Sequence, residues 1–218
     1  TETITPAPPI TTERPSPPGV SVDRIRPSVL VDAHATRLAA TNYTLVVERQ
    51  VRTDDATLTT YEHRRRVAAG GDVYAGTYRL AFTNLSTPGA VRSVDYWASG
   101  DGFATRDQMA GTVVYRGWSD QGDPIRDIDR SRRIERALAA FPLVVAGRTD
   151  EAVVLSGVQP GTATVPSPVP GLEAHHNATL TARVTFDGVV TDWRYAYDAR
   201  RAGVSVRVVY EGHVTAIG

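Results

Sequence analysis

The sequence predicts an α+β fold: a long curved antiparallel sheet, a half-barrel, with two helices packed on its concave side. Three observations carry this. Long stretches alternate apolar and polar residues with a period of two. Two segments instead repeat their apolar residues at helical spacing. Gly-, Asp- and Asn-containing turn signals separate the alternating stretches at hairpin distances.

The elements follow in chain order. Residues 1–21 are rich in Pro and Thr, have little to bury, and read as a disordered tether ahead of a single domain over 22–218. Ser28 is a candidate N-cap. Leu30, Ala33, His34, Arg37 and Leu38 then fall at helical spacing, which predicts a first helix over about 29–40. The period switches to two in YTLVVERQV, where Tyr43, Leu45, Val47 and Val51 share a face. The run from Thr57, including Arg64-Arg65-Arg66, continues the alternation as a polar strand. Gly70-Gly71 marks a turn, and Tyr74, Tyr78, Leu80 and Phe82 line the next strand. VDYWASGDGFAT, residues 94–105, predicts a further hairpin turning around Ser99–Gly102. Residues 118–124 break the pattern. Ile125, Ile128, Ile134, Ala137, Leu138 and Phe141 then mark a second amphipathic helix, which Pro142 ends. Strands at LVVAG and EAVVLSGV precede a Pro/Gly-rich loop over about 159–171. Three strands close the chain: Leu180, Ala182, Val184 and Phe186 alternate in the first, and Val189, Thr191, Trp193, Tyr195 and Tyr197 in the second. Val204, Val206, Val208 and Tyr210 line the third. Asp187-Gly188, between the first two, reads as a type I′ turn.

Composition narrows the function classes. The 24 basic residues are all Arg and balance 24 acidic ones, so there is no basic excess to suggest a nucleic-acid partner. Cys is absent, which removes thiol nucleophiles, iron–sulfur clusters and thiolate zinc sites. No apolar run reaches the roughly 18 residues of a spanning helix. The first residue is Thr1 and not Met, so the chain is expected to be processed or trimmed, and a removed signal peptide would leave no trace in it.

Several segments resemble a known family. Leu30, Ala33-His34, Leu38 and Asn42-Tyr43-Thr44, leading into a strand with Arg49, are similar to the opening of haloarchaeal surface lipoproteins of unknown function. NATLTARVTFDGVVTDWRYAYDA and the hairpin YWASGDGFATR are similar to later parts of that family, over about 22–215. The resemblance implies a lipid anchor upstream of Thr1, a Thr/Pro linker, and a place on the extracellular face of the membrane. The neutral charge departs from the acidic habit of extreme halophiles. At fold level the pattern also resembles LolA- and LppX-type half-barrel lipoproteins, which implies a cavity for a lipid or other apolar ligand.

His34, His63 and His213 have no ligand-spaced neighbours, and His175-His176 point to opposite faces of an extended chain, so no metal is expected. Asp123, Asp127 and Asp129 suit the positive start of the second helix and pairing with Arg126, Arg130, Arg132 and Arg133. Nucleophile-elbow, zincin, phosphate-loop and dinucleotide signatures are all missing, so neither catalytic residues nor a cofactor is assigned. The Arg64–Arg66 run reads as an exposed edge or solvated face, or as an anion patch. Tyr74, Tyr78, Phe82, Tyr96, Trp193, Tyr195 and Tyr197 lie mostly at same-face spacing and are either core or the lining of an apolar pocket. Asn42, Asn84 and Asn177 head glycosylation sequons. The expectation is a non-enzymatic, lipid-anchored surface domain that binds a lipid or other apolar ligand. The alternative is an accessory subunit with an envelope-protein partner.

Overall fold

The computed structural model describes residues 15–82, 91–100, 102–109, 111–118, 127–165 and 169–215. In chain order the elements are α1 (Pro27–Ala39), β1 (Tyr43–Arg52), β2 (Thr57–Val67), β3 (Tyr74–Phe82), β4 (Val91–Ser99), β5 (Gly102–Met109) and β6 (Thr112–Trp118). They continue with α2 (Ser131–Ala139), β7 (Val144–Arg148), β8 (Ala152–Thr162), β9 (Glu173–Thr185), β10 (Val190–Arg201) and β11 (Val204–Thr215). All eleven strands form one antiparallel sheet in the order β6-β5-β4-β3-β2-β1-β11-β10-β9-β8-β7. β1 and β11 meet at its centre, so the two ends of the domain are joined there. The open sheet with two helices is consistent with a half-barrel.

Register assigns the faces. Across the centre, Leu155, Ala182, Trp193, Gly212, Val47, His63, Tyr78 and Val94 stand opposite one another in successive strands and therefore share one face. Both helices bury their apolar residues in the same core as this face: Leu30, Val31 and Leu38 from α1, and Ile134, Ala137 and Leu138 from α2. This is the helix-side face. Leu45, Val47, Leu155, Leu180 and Tyr197 on it are almost wholly buried. At roughly 25 cal/mol per Å² of apolar surface, it is the main source of stability.

Local details differ from the sequence reading for physical reasons. α1 begins at Pro27, whose fixed φ suits the first helical position, so Arg26 and not Ser28 stands at the N-cap. α2 begins only at Ser131, because Arg130 has φ 64°. Asp127 and Asp129 thus precede the helix, and their carboxylates accept the Arg132 and Ser131 amide N–H groups at 3.1 and 2.9 Å. Ile125 and Asp123 lie outside the described residues. β8 runs to Thr162, into the segment read as loop, and His175-His176 lie within β9 rather than before it. At Asp187-Gly188 only Gly188 has positive φ, and three residues separate Thr185 from Val189, so the turn is a longer bulged one and not type I′. Both Ala202 (48°) and Gly203 (83°) have positive φ between the paired Arg201 and Val204, which makes that the two-residue type I′ turn. Residues 15–21, read as tether, join the domain: Val20 is buried, bridges Ile25, and Arg148 donates to the Pro15 carbonyl.

Candidate functional site

The seven aromatic residues singled out in the sequence all fall on the helix-side face. Their environments differ. Trp193, Tyr195 and Tyr197 are buried in the core, with Tyr195 stacked on Tyr210 at 5.0 Å and the Tyr197 hydroxyl accepting the Val169 N–H at 3.3 Å. The Trp193 indole lies where a Cβ on Gly212 would stand. Tyr74 and Tyr96 are also buried, and the hydroxyl end of Tyr96 sits against Gly76. Tyr78 is half-buried and Phe82 is 43% exposed.

Those last two belong to a surface that the sequence reading did not recognise. On the β3–β6 half of the helix-side face, Phe82, Leu80, Tyr78, Met109, Val114 and Trp118 share one side by register. Met109 is 56% exposed, and Val114 and Trp118 are each 40% exposed. The surface is not purely apolar, since the Arg92–Asp107 ion pair also stands on it. β6 was missed because TVVYRGW has apolar residues on both faces and so lacks alternation.

A polar cluster lies beside this surface, under the start of α2. Arg65 was expected on an exposed edge or solvated face, but β2 is central and Arg65 is 0% exposed. Alternation does hold in the run: Arg64 and Arg66 face outward and are exposed. The Arg65 Nε–H donates to the Tyr96 hydroxyl oxygen at 2.9 Å, and Nη1 donates to the Ile128 carbonyl at 2.5 Å. Arg130 donates through Nη2 to His63 Nδ1 at 2.8 Å. A guanidinium has no acceptor, so Nδ1 is unprotonated and the His63 proton sits on Nε2, which donates to Tyr96 at 2.5 Å. Burial first, and then the Arg65, Arg130 and Arg133 charges, pull His63 down to about 3. Burial, then Arg133, lowers Arg130 as well. Arg49 stacks over Tyr61 at 5.4 Å, and Arg133 donates to the Tyr210 hydroxyl at 2.6 Å. His34 anchors the neighbourhood: its Nδ1 accepts the Val190 N–H and its Nε2–H donates to the Asp129 carbonyl, both at 3.2 Å.

The outer face carries a groove of about 470 Å³ lined by Val46, Val154, Arg183, Arg194, Glu211 and others. His213 and Asp192 pair in it, but its lining contains no Ser. Among the described residues no three His, Asp or Glu side chains group as metal ligands. His175 packs edge-on against Tyr197 while the His176 Nδ1–H donates to the Ala174 carbonyl, so the two rings diverge. Asn42 and Asn177 are exposed, and Asn84 lies outside the described residues. No described helix is long and apolar enough to cross a membrane.

Comparison with solved structures returns three neighbours of note. LprF from Mycobacterium bovis is 14% identical with a TM-score of 0.47, covering 88% of this chain and 92% of that one. A β-barrel-like DUF1849 protein from Brucella abortus is 10% identical with a TM-score of 0.30, covering 81% and 98%. A LolA superfamily protein from Nitrosomonas europaea is 10% identical with a TM-score of 0.26, covering 86% and 90%. No family model and no curated protein matches the sequence, so the haloarchaeal resemblance has no sequence match behind it. All three structural scores are low.

Proposed function

We propose that this chain is a non-catalytic binding domain of the cell envelope that holds an apolar ligand, such as a lipid, on the β3–β6 half of its helix-side face. One observation carries the reading. The face that buries the core under the helices continues past them as a surface on which Phe82, Met109, Val114 and Trp118 stay 40–56% exposed. Large apolar side chains grouped on one exposed surface are uncommon in a free domain and mark a place where something apolar sits. Tyr78 and Leu80 form the floor between it and the core, and a few polar groups at its border would orient a ligand. Anchoring by a lipid upstream of Thr1, placement on the extracellular side, and glycans at Asn42, Asn84 and Asn177 belong to the same proposal.

The test is titration of detergent-free protein with the neutral dye N-phenyl-1-naphthylamine, together with native mass spectrometry for co-purifying lipid. Binding is expected, and Val114→Asp with Met109→Asp should weaken it at least tenfold while leaving the circular dichroism unchanged. No dye binding and no bound lipid would refute the reading.

A second reading, an accessory subunit of an envelope assembly, has its own observation. β6 is an edge strand whose Val113 and Tyr115 are exposed on the outer face, 39% and 71%, while its outer backbone groups pair with no strand of this sheet. Crosslinking through a cysteine placed at Tyr115 in cells would report an envelope partner.

A further inference from the structure

The cluster under α2 has too many cations for its partners. Arg65 and Arg130 are both more than nine-tenths buried. Yet among the described residues Arg65 Nη2 and Arg130 Nε have no hydrogen-bond partner, and neither does Nε of the half-buried Arg49. None of Arg49, Arg65, Arg130 and Arg133 forms an ion pair among the described residues. The carboxylates of Asp127 and Asp129 are turned to the amide groups at the start of α2, and from that segment Arg65 meets the Asp127 and Ile128 carbonyls. The remaining partners are the neutral His63 and the hydroxyls of Tyr96 and Tyr210, together with the faces of Tyr61, Tyr74 and Tyr96. Burying several like charges without a counter-ion is costly, because a buried charge needs both a partner and hydrogen bonds to offset its lost hydration. Arg also presents forked N–H donors that match a carboxylate or phosphate.

We infer that this cluster receives one oxyanion, phosphate or carboxylate, at the head of an amphipathic ligand whose apolar chain lies on the β3–β6 surface. The inference rests on the apolar-ligand reading above and names the ligand class for that same site. Geometry joins the two parts. Arg49 stands opposite Tyr61, Tyr61 opposite Leu80, Leu80 opposite Arg92 and Arg92 opposite Met109, all on the helix-side face. His63, Tyr78, Val94, Asp107 and Val114 make the parallel row. From β1 to β6 this spans five strand spacings, about 24 Å, which is room for an extended acyl chain beside the cations. A free oxyanion and an amphiphile with the same head differ only in the chain, so the experiment separates these two sources.

Calorimetric titrations of the whole chain with decyl phosphate, 1-decanol and inorganic phosphate, all below micelle-forming concentrations, test the assignment. Decyl phosphate should bind about ten- to a hundredfold tighter than decanol, the range expected for charge-assisted hydrogen bonds. Arg133→Gln combined with Arg49→Gln should shrink that preference to a few-fold; if these variants do not fold, the wild-type preference alone decides. Equal affinity for decyl phosphate and decanol overturns the anion site but leaves the apolar-ligand reading standing. Inorganic phosphate binding as tightly as decyl phosphate overturns the amphiphile and leaves a free-anion site. Binding of none of the three overturns both readings.

Discussion

Replacing His63 by Gln should flatten the acid dependence of folding. In the folded chain His63 is buried beside Arg65, Arg130 and Arg133, and its value falls from the ordinary 6.5 to about 3. The unfolded chain therefore binds a proton between about pH 6.5 and pH 3 that the folded chain refuses. Stability is full above 6.5, declines as pH falls through that window, and stops declining near 3, where both states carry the proton. At pH 5, which is 1.5 below the ordinary value, the loss is about 2 kcal/mol at 1.36 kcal/mol per pH unit. Gln keeps the hydrogen-bond pattern, because its oxygen accepts from Arg130 and its NH₂ donates to Tyr96, but it cannot titrate. Urea unfolding of both proteins at about pH 8 and pH 5 measures the difference. The wild type should lose about 2 kcal/mol more than His63→Gln over that interval. His34, whose value is lowered chiefly by burial, contributes with the same sign in both proteins and cancels. Equal losses in the two proteins, or a His63 ring that titrates near 6.5 by NMR, would refute the reasoning.

Two further perturbations test the packing. Gly212→Ala places a methyl where the Trp193 indole lies, so it should cost about 1–3 kcal/mol of unfolding free energy and alter the Trp near-ultraviolet dichroism. Ala202 adopts the left-handed region at φ 48° in the type I′ turn, where Asn is favoured; Ala202→Asn should raise stability by about 1 kcal/mol, read as a higher urea midpoint at unchanged slope.

Periodicity made much of this protein legible. The strands from Leu45 to Val51 and from Leu180 to Val184 alternate because one face of each is buried and the other is wetter, and that contrast is written residue by residue. The same rule put most of the seven aromatic residues at same-face spacing within their strands, and strand register brings them to one side of the sheet. It failed at β6, which is exposed on both sides, and at α2, where the positive φ of Arg130 shortens a helix that spacing alone would begin earlier. It failed too at Asp187-Gly188, where a common turn dipeptide sits in a bulged loop.

The sequence by itself determined the α+β class, the antiparallel sheet, the apolar side of most strands and the absence of thiol chemistry. Those are properties of neighbours along the chain. The tertiary structure decided which polar residues are buried. Arg65 looks in sequence like Arg64 and Arg66, and only the central position of β2, between β1 and β3 and beneath the approach to α2, takes it out of water. His63 and Tyr96 are 33 residues apart, and Arg130 is 67 from His63, so the network they form is a product of strand order rather than of spacing. Burial and charge depend on what is packed overhead, and no local pattern encodes that.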